Sequence, residues 1–242
     1  MKKILSLILV IFFAIACYSQ IPKTYQDSGN VKLKLADYRG AIEDFNKVIE
    51  LDPKNTKAYN HRGSAKRNLK DYLEAIKDFN KAIELDPKNI EAYQERGFTK
   101  TFLKDYKGAI EDYNKVIMLN PKDAVAYSNR GLSKAYLVDY KGAIEDYNKI
   151  INLNLEDGGT YYNRGASRSK SKDYRRAIVD FNKAIELNFE YAEVYFSRGF
   201  AKSHLENYEE AIEDYNKAIE LDPKDEDAYL NRGVSKASVM ST

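Results

Sequence analysis

The stretch TKAYNHRGSAKRNLKDYLEAIKDFNKAIELDPKN, residues 56–89, decides the fold. In its second half Tyr72, Ala75, Ile76, Phe79, Ala82, Ile83 and Leu85 return every three to four residues, which predicts a helix with one apolar face. Pro87, in Asp86-Pro87-Lys88, lacks an amide hydrogen and cannot continue that helix, so it marks the end. The polar pair Lys70-Asp71 separates a second helical segment before it. That segment contains Gly63, whose missing Cβ lets a neighbouring helix approach, at a cost of about 1 kcal/mol in helix propensity. One hairpin of this kind cannot bury its apolar face; a row of them can.

The same pattern recurs at an offset of 34 residues, from Pro22, Thr56, Ile90, Ala124, Gly158, Ala192 and Glu226. The fourth place of each unit is Tyr (Tyr25, Tyr59, Tyr93, Tyr127, Tyr161, Tyr195, Tyr229), and the eighth is Gly, from Gly29 to Gly233. The twentieth is Ala (Ala41, Ala75, Ala109, Ala143, Ala177, Ala211), and the twenty-fourth is aromatic (Phe45, Phe79, Tyr113, Tyr147, Phe181, Tyr215). Pro53, Pro87, Pro121 and Pro223 close four units. The reading is all-α: six full repeats, at 22–55, 56–89, 90–123, 124–157, 158–191 and 192–225, then a partial seventh or capping helix at 226–242.

In length and in its Gly, Ala, aromatic and Pro positions the chain resembles the tetratricopeptide repeat family over about residues 22–238. It departs from the family in two places. Arg stands where Leu is usual at the seventh position (Arg62, Arg96, Arg130, Arg164, Arg198, Arg232), and Lys or Arg replaces Tyr at the eleventh. The resemblance implies a right-handed α-solenoid of antiparallel hairpins whose first helices line a concave groove that holds a protein or peptide segment. In the first two repeats the implied groove positions are largely polar: Lys23, Gln26, Asn30, Lys57, Asn60, Ser64 and Arg67. Further along they become Phe98, Phe102, Leu132, Tyr136, Tyr162, Phe196, Phe200, Leu230 and Val234. Aromatic anchors on such a surface suit a partner segment, with Tyr162, Phe196 and Phe200 foremost. The competing reading is that some of these side chains pack between adjacent first helices. The carboxylate clamp of chaperone-docking members is not present in its usual form: Gln26 and Asn30 occupy its first two places, and His61 and Glu95 break the later ones.

Arg62 and Lys66 lie one turn apart and share a face, as do their equivalents, so they read either as a basic ladder for an acidic ligand or as partners for a carboxylate. The twenty-third position is Asp in every full repeat (Asp44, Asp78, Asp112, Asp146, Asp180, Asp214), which favours a repeated Arg–Asp bridge. Lys47 and its equivalents read as solvated.

Residues 1–19 differ from all that follows. Lys2 and Lys3 precede an apolar run at 4–16, too short for a bilayer core and consistent with a secretory signal peptide. Three cleavages fit: after Ala14-Ile15-Ala16, after Cys17-Tyr18-Ser19, or at a lipobox-like Phe13-Ala14-Ile15-Ala16-Cys17 that would lipidate Cys17. The expectation is an exported protein of the periplasm, envelope or exterior, meeting a membrane only through an anchor at Cys17. That location suits cytosolic chaperone partners poorly.

Without Lys2 and Lys3 the chain balances 37 basic against 37 acidic residues, which leaves no net field for nucleic acid. A single cysteine excludes an internal disulfide. His61 and His204 lie in distant units, and no phosphate-binding Gly loop, paired-Cys motif or nucleophile elbow occurs, so neither enzyme activity nor a cofactor is expected. The alternative to a binding scaffold is a structural spacer in an envelope complex. One irregularity remains: Leu155 replaces Pro after the fourth repeat and Gly158-Gly159 follow, which predicts a soft joint between 22–157 and 158–242.

Overall fold

The computed structural model describes residues 21–155 and 157–241. The leader expected at 1–19, with Cys17 and all three cleavage points, lies outside the described residues.

Those residues form thirteen helices and no strand, and the chain divides into two compact units between Leu119 and Asn120. The first unit contains α1 (21–34), α2 (Tyr38–Leu51), α3 (Thr56–Asn68), α4 (Tyr72–Leu85), α5 (Ile90–Phe102) and α6 (Tyr106–Leu119). The second contains α7 (Ala124–Tyr136), α8 (Tyr140–Asn152), α9 (Gly158–Lys170), α10 (Tyr174–Glu186), α11 (Ala192–Ser203), α12 (Tyr208–Leu221) and α13 (Glu226–Ser241). Within each unit every helix packs against its chain neighbours, so the hairpins stack in sequence order. None of the described helices is long and apolar enough to cross a membrane.

Local chemistry sets the helix ends. Asn55, Asn89 and Asp123 each accept from the amide three residues on, at 3.0, 3.0 and 2.9 Å, and so cap α3, α5 and α7. Inside each hairpin the first helix stops at a residue with left-handed backbone: Ala36, Lys70, Lys104, Val138, Lys172 and Glu206, with φ of 58–66°. The chain then closes back, as where the Asp71 amide donates to the Lys66 carbonyl at 2.9 Å. Where proline is missing, after α8 and α10, Asn154 and Asn188 take the left-handed position instead. The Leu155 and Phe189 amides then donate back to Ile150 and Ala184, at 3.2 and 3.0 Å.

The core repeats with the sequence. The Ala and aromatic residues of the second helices are shielded almost completely, from Ala41 and Phe45 to Ala211 and Tyr215. Each aromatic ring packs against the Gly of its own hairpin. A Cβ added to Gly63 would meet Phe79 Cε1 at 2.7 Å, closer than packing allows, so glycine is required there.

The expected soft joint at 157–158 is not where the compact units divide; that point comes one repeat earlier. The first of the two glycines also has a packing role. Gly158 is buried, and a Cβ there would stand 2.3 Å from the Cβ of Phe189. Asp157 caps α9 through the Thr160 amide at 2.7 Å. Gly158 makes room for the aromatic residue that replaces the closing proline of the fifth repeat.

Candidate functional site: the face of the first helices

From the second to the sixth repeat the cations at the seventh and eleventh positions are consumed by the fold. Arg62 donates from Nε to Asp78 Oδ2 at 2.9 Å, and Lys66 reaches the same oxygen at 2.8 Å. Arg96 with Lys100, Arg130 with Lys134, Arg164 with Arg168 and Arg198 with Lys202 enclose Asp112, Asp146, Asp180 and Asp214 in the same way. The first hairpin substitutes Ser28 and Lys32, both on Asp44. Each Arg also lies over the Tyr three residues before it, with Cζ 5.3–5.5 Å from the ring centre in α3, α5, α7, α9 and α11. Arg62, Arg96, Arg164 and Arg198 reach back to Asn46, Asn80, Asn148 and Asn182 of the preceding repeat at 2.6–2.7 Å. One arginine therefore ties its own hairpin and joins it to the one before. This face is a repeated bridge and not a free basic ladder. Lys47, Lys81, Lys183 and Lys217 are surface ion pairs with the glutamates three residues on.

The face of the first helices differs between the two units. In the first it is a network of neutral and paired polar groups. Gln26 Nε2 bonds Asn30 Oδ1 at 3.2 Å and His61 Nδ1 at 3.1 Å. Burial is the main reason that the His61 pKa falls below its usual value, outweighing the nearby Glu91. Ser64 and Arg67 both contact Glu95, at 3.3 and 3.0 Å. Phe98 and Phe102 close this network: the Arg67 guanidinium lies 5.1 Å from the Phe98 ring centre, and Phe102 stacks on Tyr72 at 5.1 Å. Asn60, placed at the groove by the resemblance, is instead buried and donates to Asn89 and Glu91 at 3.2 and 3.3 Å.

In the second unit the corresponding face is apolar. Two hollows lie side by side along α7, α9 and α11. One, of about 360 Å³, is lined by Leu132, Ala135, Tyr136, Val138, Tyr140 and neighbouring residues of α9. The other, of about 180 Å³, lies among Tyr162, Ala166, Ser169, Phe196, Ser197 and Phe200. Ala166 and Lys170 border both, and Lys170 is the one charged residue among the described linings. Tyr136 and Leu132 are 61% and 41% exposed, and on α13 Leu230 and Val234 are exposed as well.

The three residues expected to lead the site divide. Tyr162 and Phe196 are half-buried and belong partly to the core: Tyr162 lies 5.6 Å from Phe189, ring centre to ring centre, and Phe196 lies 5.8 Å from Tyr215. Tyr162 is also hydrogen-bonded to Ser197, and burial raises its pKa. Phe200 lies at the edge, with the His204 ring 4.2 Å away. The sequence reading did not single out Lys170, Ala166 or Val138 as lining residues; the available signal was that Ala166 and Lys170 stand at the same places of their repeat as Leu132 and Tyr136. Among the described residues no cluster of His, Cys, Asp and Glu is placed to hold a metal ion.

Tetratricopeptide repeat models match residues 22–55, 56–89, 90–123 and 160–191, and a further TPR repeat model matches 204–237, together well over half of the chain. No curated protein sequence matches it significantly. Among solved structures, that of MamA protein is 27% identical, with a TM-score of 0.65, over 71% of this chain and 94% of that one. YrrB, described as a TPR protein with an unusual peptide-binding site, is 22% identical, with a TM-score of 0.68, over 78% and 97%. PilF of Pseudomonas aeruginosa is 17% identical, with a TM-score of 0.74, over 91% and 98%; these last two likenesses bear on the fold alone. The 34-residue hairpins, the ring-on-glycine packing and the matched repeats agree, and the chain belongs to the tetratricopeptide repeat family.

Proposed function

We propose that this chain is a non-catalytic scaffold of the bacterial cell envelope that holds an extended segment of another protein against α7, α9 and α11. The observation that carries the reading is the change of surface within one repeated frame. The first-helix face of the first unit engages its polar side chains largely with one another, while that of the second presents Leu132, Tyr136 and Phe200 around two hollows. Apolar side chains of a partner would fill the hollows and release their water, and Lys170 offers a counter-charge to an acidic neighbour in the same segment. Export is supported by Lys2, Lys3 and the apolar run at 4–16, and an anchor by Cys17 at the end of that run.

Site-specific photo-cross-linking tests the binding site. A photoreactive residue at Leu132 or Tyr136 is expected to capture one partner that the same probe at Val179, exposed on α10, does not. Equal capture from Val179, or none from either position, would support the spacer reading. Fractionation of cells expressing the wild type and Cys17→Ala tests the location: recovery in the cytoplasm would remove the envelope from the proposal.

A further inference from the structure

In the first four repeats the ten residues from the thirteenth position onward nearly balance their charges, at 34–43, 68–77, 102–111 and 136–145. The next two repeats depart from this in opposite directions. In the fifth, KSKDYRRAIV at 170–179 has four cations and one aspartate. In the sixth, HLENYEEAIE at 204–213 has four glutamates and no Lys or Arg. The opposition is strictest at three equivalent places: Lys172, Arg175 and Arg176 in the fifth repeat, Glu206, Glu209 and Glu210 in the sixth.

The two triplets are presented alike. Lys172 and Glu206 hold the same left-handed turn position, with φ of 66° and 64°, and the paired residues follow in the first turns of α10 and α12. All six side chains are exposed. The fifteenth and eighteenth positions are exposed in all six full repeats, including those with hairpins on both sides, so stacking does not cover them. Two arginines in the first turn of α10 oppose the positive end of its dipole, so helix stability does not account for the basic block. Among the described residues no ion pair joins the two blocks. Arg176 has Asp173 at 3.3 Å and Glu210 has Lys202 at 3.3 Å, while Lys172, Arg175, Glu206 and Glu209 have no ionic partner.

We propose that this edge of the fifth and sixth hairpins binds a second copy of the chain, about a two-fold axis that passes between the two hairpins. The rotation sets Lys172, Arg175 and Arg176 of each copy against Glu206, Glu209 and Glu210 of the other, so one surface supplies both halves of the contact. A uniformly acidic partner would be repelled by the glutamates beside the arginines, and a uniformly basic one by the arginines beside the glutamates. Two adjacent blocks of opposite sign at equivalent places select another copy of themselves. Lys170 stays with the hollows, and the proposal stands independently of the groove.

The test is sedimentation velocity of the full chain. A concentration-dependent dimer is expected in about 10 mM salt, and dimerisation weaker by about tenfold or more in about 1 M, since the screening length falls from about 30 Å to about 3 Å. Reversing the basic triplet (Lys172→Glu, Arg175→Glu, Arg176→Glu) is expected to abolish the dimer, and so is reversing the acidic one (Glu206→Lys, Glu209→Lys, Glu210→Lys), with the fold of each confirmed by circular dichroism. Mixed in equal amounts, the two variants are expected to pair with each other, and a variant carrying both reversals to pair with itself. A photoreactive residue at Val179, one turn beyond Arg175 on α10, then captures a second copy, told apart by its mass from any partner taken at Leu132 or Tyr136. A monomer under all conditions, a dimer that survives either reversal, or failure of the mixed variants to pair would overturn the proposal. So would assemblies that grow beyond two copies, because a two-fold contact is closed.

Discussion

Arg164 grips Asp180 with two parallel hydrogen bonds, Nε to Oδ2 at 3.1 Å and Nη2 to Oδ1 at 2.7 Å, and the carboxylate between the helices is 1% exposed. Arg168 adds a third donor at 2.7 Å. Removing the carboxylate leaves two guanidinium groups facing each other in a largely shielded seam. Asp180→Ala is therefore expected to cost about 3–5 kcal/mol in urea unfolding monitored by circular dichroism. A loss below about 1 kcal/mol, the range of surface pairs, would mean that the bridge is not structural.

Tyr113 offers the reverse case. Its ring covers Gly97 as Phe79 covers Gly63, but its buried hydroxyl finds no hydrogen-bond partner, and burial raises its pKa. The equivalent positions Phe45, Phe79 and Phe181 carry no hydroxyl. Tyr113→Phe should raise stability by about 1 kcal/mol in the same assay, because a donor that lost its water is removed.

Val138 holds a left-handed backbone, φ 66°, at the turn between α7 and α8. A β-branched side chain is strained there, while Asn tolerates the conformation. Thermal unfolding of Val138→Asn is expected at a higher midpoint, with a gain of about 1 kcal/mol. An unchanged or lower midpoint would show that Val138 contributes more through the hollow it lines than it loses in strain.

His61 gives the first unit a pH dependence. Its pKa is lowered in the folded state, mainly by burial, so the unfolded chain binds the proton more tightly. The stability tied to neutral His61 is complete above the unfolded value of about 6.5 and is lost as pH falls from there to the depressed folded value. Unfolding measured between pH 7.5 and 5 should show this decline in the wild type and a flatter profile in His61→Gln. Identical slopes would contradict the burial argument.

Much of this architecture is legible in the chain itself. The Arg–Asp bridges follow from a 16-residue separation that holds from Arg62–Asp78 to Arg198–Asp214, and a charge that returns with its opposite in every repeat is difficult to read otherwise. The Gly–aromatic contacts follow from the same regularity. What could not be read lies where the repeat breaks. Phe189 stands where four other units have Pro, and its ring packs against Tyr162, turning a groove residue into a partly structural one. Gly158 reads as softness by propensity, and the room it makes for the Phe189 side chain is not visible from propensity. Propensity acts locally, and this contact spans about thirty residues of chain.

The division of Tyr162 and Phe196 from Phe200, Leu132 and Tyr136 also selects the decisive variant. A Leu132→Ala, Tyr136→Ala, Phe200→Ala triple substitution strips the apolar strip while leaving Tyr162 and Phe196 in their core contacts. The measurement is recovery of a partner by this variant and by the wild type, residues 20–242 in both, from envelope extract, with helical circular dichroism confirmed for each. The account predicts a partner retained by the wild type and lost by the triple variant. Equal recovery of that partner by both would contradict it and would move the binding surface away from α7, α9 and α11.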